Sequence, residues 1–354
     1  MPFDGRVLSG VSVLAAVVEG GSFVKAADLI GITDSGVSRA IGRLETRLNV
    51  RLLDRTTRSV TLTDEGRRFY EEMKPHLSAI EDAAAVASAM QGVGAVVNFA
   101  AETHVDRSIS EPDAFVKTHA VGTFVLLEAA RERGVRMLQV STDEVYGSIA
   151  EGSFSEASPL NPSSPYSATK AGADLLVASY HHTFALDTVI CRGSNNYGPY
   201  QYPEKLIPLM VLNAIAGDRL PVYGDGANVR NWLYVDDFAS AIGHVLAHGA
   251  AGEAYNVGGP DECANLDVVR RILELCGRDE SLIEFVADRP GHDRRYSLGS
   301  EKVRALGWTP GTHFEEGIER TVAWYRDNAW WWEPIRSGSY REYYERQYGR
   351  AIET

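Results

Sequence analysis

The sequence predicts two domains of different class, a small α-helical one followed by a larger α/β one built on a parallel sheet. Three observations carry this. Residues 10–49 place apolar side chains at helical spacing, separated by Gly, Ser and Thr. From about residue 95, short apolar runs alternate with longer helical stretches, the pattern of strands joined by crossover helices. The chain has 354 residues and is 44% hydrophobic, long for one average domain and apolar enough for two cores.

Residues 10–20 read as a short apolar helix. Gly20-Gly21-Ser22 is a turn, and Ser22 can cap Phe23–Ile30 by accepting a backbone N–H of its first turn. Gly31 ends that helix, and Thr33 or Asp34 caps the next, about 35–49. There Val37, Ile41, Leu44 and Leu48 share one face, with Arg39, Arg43 and Arg47 opposite. Residues 51–63, ending in the alternating SVTLT, read as a hairpin or wing. Thr63 caps a long, increasingly alanine-rich helix, about 64–90, with Pro75 placed to kink it.

After a junction at 91–94, AVVNFA (95–100) is a buried-type strand. A helix at 113–133, a strand at 136–142, a helix at 166–184 and a strand at 187–192 follow. Residues 200–310 look more irregular, and the WWW at 330–332 reads as packing the tail onto the body.

The net charge of −13 argues against a general polyanion binder, yet six arginines (39, 43, 47, 51, 55 and 58) fall between Ser38 and Ser59 against only Glu45 and Asp54. A basic stripe on an acidic chain suits a small nucleic-acid module on an enzyme-like body. Cys191, Cys263 and Cys276 are far apart, so reduced thiols and a cytoplasmic location are expected. The apolar run Val11–Val18 is too short to span a membrane. Arg6 and that run could suggest a signal peptide, but Glu19 and the helical pattern after it favour a core helix. His181-His182 has no third ligand at sensible spacing, so no metal is expected.

A helix ending at Gly31, a tight turn and a basic amphipathic second helix make a helix-turn-helix. Spacing alone would also fit a solvated charged helix. The string VVEGGSFVKAADLIGITDSGVSRAIGRLETRLNVRLLDRTTRSVTLTDEG decides between them, because it resembles the winged helix-turn-helix of LysR-type transcriptional regulators almost throughout. The resemblance covers about residues 1–90, including the linker helix through which that family dimerises, without its effector-binding domain. It implies double-stranded DNA as a partner of residues 1–63, with Ser35, Ser38, Arg39, Arg43, Arg47, Arg55 and Arg58 as the contacts. Arginine suits that task because its planar fork pairs with phosphate or a guanine edge through two hydrogen bonds.

Tyr166-Ser-Ala-Thr-Lys170 puts a phenol and an ammonium on one helix face. The ammonium is expected to lower the tyrosine pKa and make Tyr166 a base for a sugar hydroxyl. Y-x-x-x-K alone often arises by chance; Ser141 and Thr142 at a strand end before it strengthen the reading. Asp143 and Glu144 then supply adjacent carboxylates at the strand's C-terminal end, where open α/β sheets bind ligands. Such a pair suits removal of a carbon-bound proton and protonation of a departing hydroxyl, or simply a helix start that favours negative charge.

The ordered strings NFAAETHVDRSI, STDEVYGS, SPYSATKAGAD, SNNYGPYQYPEKLIP, PVYGDGANVRNWLYVDD, YNVGG and DRPGHDRRY resemble the dTDP-glucose 4,6-dehydratases, extended short-chain dehydrogenase/reductases, from about Val93 to the C-terminus. The resemblance implies C4 oxidation begun by Tyr166, with Thr142 on the C4 hydroxyl and Lys170 on the nicotinamide ribose. Glu144 would take the C5 proton, Asp143 would protonate the leaving C6 hydroxyl, and NADH would return hydride to C6. It further implies NAD beside Phe99, Ala100, Ala101, Ser141, Tyr166 and Lys170. The dTDP-sugar would be gripped by His104, Asn195, Lys205, Arg230, Asn265 and His292, with Tyr223 facing the thymine. Gly193 departs from the family's usual cysteine and is expected to loosen packing near the nicotinamide.

No G-x-G-x-x-G or G-x-x-G-x-x-G occurs, and the helix-turn-helix stands where the family has its pyrophosphate-binding turn. The expected fold is therefore an α-helical winged helix-turn-helix (1–63), a linker helix (64–91), an N-terminally truncated α/β Rossmann-like domain (92–200) and a C-terminal substrate-binding lobe with its tail (201–354). Losing several charge-assisted hydrogen bonds is expected to weaken NAD binding by several decades. The strand at 95–100 becomes an exposed apolar edge. Three functions compete: a dehydratase-like enzyme with impaired catalysis, a DNA-binding regulator with a non-catalytic sugar-nucleotide sensor, and a fusion or assembly artefact without a joint role. Both resemblances imply a homodimer, and nothing points to a membrane.

Overall fold

The computed structural model describes residues 6–55 and 60–336. The chain divides into two compact units after Gln91.

In the first unit, helix α1 (Arg6–Gly20) begins four residues before the expected start at 10. The Ser22 hydroxyl accepts the Lys25 N–H at 3.2 Å to start α2 (Phe23–Ile30), which Gly31 ends in the left-handed conformation. Thr33, not Asp34, caps α3 (Asp34–Leu48), accepting the Gly36 N–H at 3.2 Å. Val37, Ile41 and Leu44 of α3 meet Leu14 and Val17 of α1 and Ala26 of α2 in one buried core, leaving Arg39, Arg43 and Arg47 exposed.

Strands β1 (Leu53–Arg55) and β2 (Val60–Leu62) form an antiparallel hairpin. Glu45 ties it to α3, its Oε1 accepting the Leu52 and Leu53 N–H groups at 2.9 and 3.1 Å. Thr63 caps α4 (Asp64–Ala89), which continues unbroken past Pro75. Gly66 lets the first turn of α4 press against the hairpin: a Cβ there would lie 2.0 Å from the Leu52 carbonyl oxygen. Arg58 lies outside the described residues, as does the tail beyond residue 336.

The second unit is built on four parallel strands: β3 (Ala95–Asn98), β4 (Arg136–Thr142), β5 (Thr188–Gly193) and, later in the chain, β9 (Ala254–Val257), in the order β3-β4-β5-β9. Among the described residues β3 is an edge strand, with Val96 and Val97 half-buried. It is two residues shorter than expected.

The single helix expected over 113–133 is instead three pieces. These are α6 (Pro112–Phe115), one π-helical turn (Val116–Val121) and α7 (Gly122–Arg133), preceded by α5 (Val105–Ser110). α8 (Pro165–Phe184) follows, started by a Ser164–Ser167 capping box. Alternation along β4 sends Met137 to a core with Leu127 of α7 and Val177 of α8, and Leu138 to the opposite core.

Residues 200–310 are more regular than the sequence suggests. After β6 (Asn195–Tyr197) come α9 (Leu206–Ala216), β7 (Leu220–Tyr223), β8 (Val229–Tyr234) and α10 (Val235–His248). β9 is followed by β10 (Asp261–Ala264), α11 (Asn265–Leu275) and β11 (Ile283–Val286), then α12 (Glu301–Ala305), α13 (Phe314–Asp327) and α14 (Ala329–Trp332). Strands β10-β8-β6 form a second sheet and β11 pairs β7. The boundary expected at 200/201 is therefore crossed both ways, by β9 joining the first sheet and β6 the second. Trp331 and Trp332 pack against the core containing Tyr197 and Tyr325, as expected, whereas Trp330 is exposed. Among the described residues no helix is long and apolar enough to cross a membrane.

Candidate active site

β4 ends at Thr142, whose hydroxyl accepts the Glu144 N–H at 3.3 Å and starts a short 3-10 turn over Asp143–Tyr146. This places both carboxyls at the C-terminal edge of the sheet, the customary ligand side. Asp143 is 1% exposed; the Thr142 hydroxyl reaches its Oδ1 at 3.2 Å, and its Oδ2 has no partner. Burial, then the Glu144 charge, pushes the Asp143 carboxyl up to about 8, against the opposing pull of Arg230. The shift favours the protonated form of Asp143. Burial also raises Glu144, opposed by Arg289, Arg230 and Lys205.

Tyr166 and Lys170 stand one turn apart on α8, but they are not coupled as expected. The Lys170 ammonium donates to the Val140 carbonyl at 2.6 Å. Burial raises the Tyr166 phenol, the Glu144 charge raises it further, and a hydrogen bond with Thr142 opposes them. The net shift is upward, opposite to the expected lowering, because burial leads and the Glu144, Asp143 and Asp174 charges add to it. Burial lowers Lys170, and Asp174 one turn on counters that shift. Asp174 itself is paired with Arg192 at 2.8 Å, with side-chain exposures of 0% and 8%.

His119, which the sequence reading passed over, sits beside this group. The π-helical turn inserts it between α6 and α8, where it meets Thr169 Oγ1 at 2.8 Å and the Glu102 carbonyl at 3.1 Å. Its ring stands edge-on to Tyr166, centroids 5.7 Å apart. Burial, then the Lys170 charge, lowers it to about 4, so it is neutral. No residue-type motif marks it; the irregular turn that places it is invisible in helical periodicity.

On the nicotinamide-side expectations, Phe99 and Ala100 are exposed and Ala101 is half-buried. The Ala100 N–H donates to Asn98 Oδ1 at 3.1 Å. Ser141 is buried and its hydroxyl has no partner. The expected looseness at Gly193 is not found: the Phe238 ring fills the space a side chain there would use.

All seven residues expected to grip the sugar nucleotide (His104, Asn195, Lys205, Tyr223, Arg230, Asn265 and His292) line one cleft of about 170 Å³ together with Glu144. Asn195 Oδ1 and Asn265 Oδ1 are buried without partners and available to a ligand. Arg230 is fixed by the Val229 and Asp293 carbonyls at 2.8 and 2.9 Å and lies 4.3 Å from the Tyr296 ring centroid. Lys205 donates to the Thr103 carbonyl. Burial lowers His104 to about 4, Lys205 adding to the shift. Burial and Arg289 lower His292, whose Nδ1 meets Asp288 at 2.6 Å. Arg289 also lines the cleft and was missed, although DRPGH was in view. Three cations (Lys205, Arg230 and Arg289) and three carboxyl side chains (Asp106, Glu144 and Glu204) line the cleft, which is polar and mixed in charge.

In the first unit, Arg39, Gly42, Arg43, Thr46 and Arg47 line a shallow concavity on α3. Arg39 Nε donates to the Ser35 carbonyl at 3.1 Å, and the Ser35 hydroxyl meets that of Thr33. Ser38 is half-buried and Arg55 ends β1.

Two family models match. That of the GDP-mannose 4,6 dehydratases covers residues 44–321, and that of the bacterial regulatory helix-turn-helix proteins of the lysR family covers 8–67. A dTDP-glucose 4,6-dehydratase of Streptomyces niveus is 54% identical over 248 residues, 70% of this chain and 74% of the relative. The Escherichia coli dTDP-glucose 4,6-dehydratase 1 is 47% identical over 282 residues, 72% and 78%. A Streptomyces venezuelae dTDP-glucose 4,6-dehydratase solved with NAD bound superposes with a TM-score of 0.71 at 53% identity, covering 72% of this chain and 80% of that one. The chain belongs to the dTDP-glucose 4,6-dehydratase family and carries a lysR-family helix-turn-helix ahead of the dehydratase part.

Proposed function

We propose that the second unit binds a dTDP-hexose and holds the groups for its 4,6-dehydration, while turnover is impaired. The observation that carries this is the single cleft in which Glu144 meets the seven nucleotide-gripping residues, with Asp143 protonated beside it. Asp143 has the proton that a leaving C6 hydroxyl needs, and Glu144 is placed to accept one from C5. Thr142 and Tyr166 act on each other electrostatically and are suited to the C4 hydroxyl.

NAD supplies hydride acceptance and return when it is bound in such enzymes. The residues of this chain fit only its nicotinamide end: Ser141 offers a free hydroxyl, and Tyr166 and Lys170 stand nearby. The stretch from β3 to α5, residues 99–104, contains no glycine, and neither G-x-G-x-x-G nor G-x-x-G-x-x-G occurs in the sequence. A dinucleotide without a cradle for its pyrophosphate is held weakly. The C5 proton is acidic only once C4 is a ketone, so a chain that loses the hydride acceptor stops at binding. The experiment is to purify the full chain, assay bound NAD by mass spectrometry, and assay dTDP-glucose for a 4-keto product. Bound dTDP-sugar without stoichiometric NAD or product is expected; stoichiometric NAD with rapid product formation rejects the impairment.

The exposed row Arg39, Arg43 and Arg47 supports a second reading, in which the first unit docks α3 into a DNA major groove and the second acts as a sugar-nucleotide sensor. Salt-dependent binding to a duplex tests it, and no binding at low salt ends it. The exposed apolar residues Val116, Val121, Phe124, Leu175 and Phe184, on the helical layer that includes α7 and α8, support a homodimer through that face. Light scattering that gives a monomer at micromolar concentration would remove that part.

A further inference from the structure

Asp106 is one of three carboxyl side chains, with Glu144 and Glu204, in the cleft read as gripping a sugar nucleotide, and its place there needs a reason. It lies on α5, only 11% exposed at its side chain, and lines the same cleft as Lys205, Arg230 and Arg289. A negative charge in that place weakens the attraction for any diphosphate. Its two oxygens are divided between two residues of different kind. Oδ2 accepts the Tyr223 hydroxyl at 3.1 Å, and Oδ1 accepts Arg289 Nη1 at 3.1 Å. Tyr223 ends β7 and Arg289 sits in the loop after β11, neighbouring strands of one parallel pair. The two side chains therefore converge on one carboxylate from separate segments.

We propose that Asp106 is a positioning residue that fixes the spacing between Tyr223, expected to face the base, and the Arg289 guanidinium, so that the cleft prefers a nucleoside diphosphate over a bare diphosphate. This rests on the sugar-nucleotide reading of the cleft. Two bonds from one rigid acceptor hold a phenol and a guanidinium in a fixed relation, which a ligand carrying both base and phosphates exploits and an inorganic anion does not. An amide at 106 can still accept from Arg289 and donate to the Tyr223 oxygen, but its bond to the guanidinium loses the carboxylate's charge. Asp106→Asn thus removes the charge assistance from the Arg289 link together with the unfavourable charge.

The test is isothermal titration of the full chain with thymidine diphosphate and, separately, inorganic pyrophosphate. In Asp106→Asn the preference for thymidine diphosphate over pyrophosphate is expected to fall about tenfold, the worth of one charge-assisted hydrogen bond. Pyrophosphate itself should bind as well or better. Tyr223→Phe should lose a similar preference, and the double variant should lose no more than either single one, which guards against a folding defect in Asp106→Asn. Equal loss of both ligands in Asp106→Asn, or additive losses in the double variant, overturns the assignment while leaving the cleft's reading intact. If the unmodified chain binds neither ligand, the sugar-nucleotide reading falls and this assignment with it.

Discussion

Gly193 and Phe238 share one volume. A Cβ at position 193 would stand 2.5 Å from Phe238 Cζ, and the Phe238 ring is 9% exposed in the core between the first sheet and α10. The glycine is a partner to the ring, not a gap. Gly193→Cys is therefore expected to overpack this core and destabilise the second unit by about 1–3 kcal/mol. Adding Phe238→Leu should return part of that loss, although the same change alone leaves a cavity and destabilises. Urea melts of the three variants check it. A Gly193→Cys chain as stable as the original, or additive losses in the double variant, would show that the two positions are not coupled.

Asp143 should leave a signature in stability against pH. It keeps its proton up to about 8, whereas an unfolded aspartate ionises near about 3.9. Between those values the folded chain binds more protons than the unfolded one, so this contribution is full below the lower value and is lost as pH rises through the upper. His104 and His119, each lowered to about 4, act in the opposite sense: they add stability as pH rises from about 4 to about 6.5, then saturate. Above about 6.5 Asp143 is thus free of their influence. The original chain should lose stability between about pH 6.5 and about pH 8 relative to Asp143→Asn, by at most about 1.4 kcal/mol per unit. Parallel urea-midpoint curves for the two proteins would show that Asp143 is ionised already.

The buried pair Asp174–Arg192 ties α8 to β5. Arg192 also donates to the Tyr146 hydroxyl at 2.6 Å, and that hydroxyl donates to Asn256 at 2.9 Å. Asp174→Asn leaves a buried guanidinium without its counter-charge and should cost about 3–5 kcal/mol. Replacing both residues, Asp174→Leu with Arg192→Met, should recover most of that, since two apolar groups need no desolvation offset. Denaturation curves in which Asp174→Asn lies within ~0.5 kcal/mol of the original would contradict this account.

Much of the fold was legible because it rests on local signals. Ser22, Gly31, Thr33 and Thr63 act as the caps and stops that their residue types allow. The seven cleft residues were found through strings long enough to fix their register, and they converge on one cleft. What stayed hidden depends on distant parts meeting. The π-helical turn that aims His119 at Tyr166 breaks a helix whose apolar periodicity looks continuous. The carbonyl that holds Lys170 belongs to Val140, thirty positions away, so the sequence could pair Lys170 only with the phenol one turn before it. Gly193 looked like a loss because Phe238, which fills its space, lies on another element.

The exposed face of α3 gives the sharpest test of the first unit. Val37, Ile41 and Leu44 on the other face are fully buried, so changes at Arg39, Arg43 or Arg47 leave that core untouched. Arg43→Ala is therefore expected to unfold within ~0.5 kcal/mol of the original. If Arg43 meets phosphate, the slope of log affinity against log salt should fall by about 0.9, uniformly across duplex sequences. If it meets a base edge, the loss should concentrate at one position of the site, by about 1–3 kcal/mol. Fluorescence anisotropy with several duplexes at two salt concentrations separates these outcomes. Unchanged affinity and slope in the Arg39→Ala, Arg43→Ala and Arg47→Ala variants would mean that the basic face of α3 does not carry DNA.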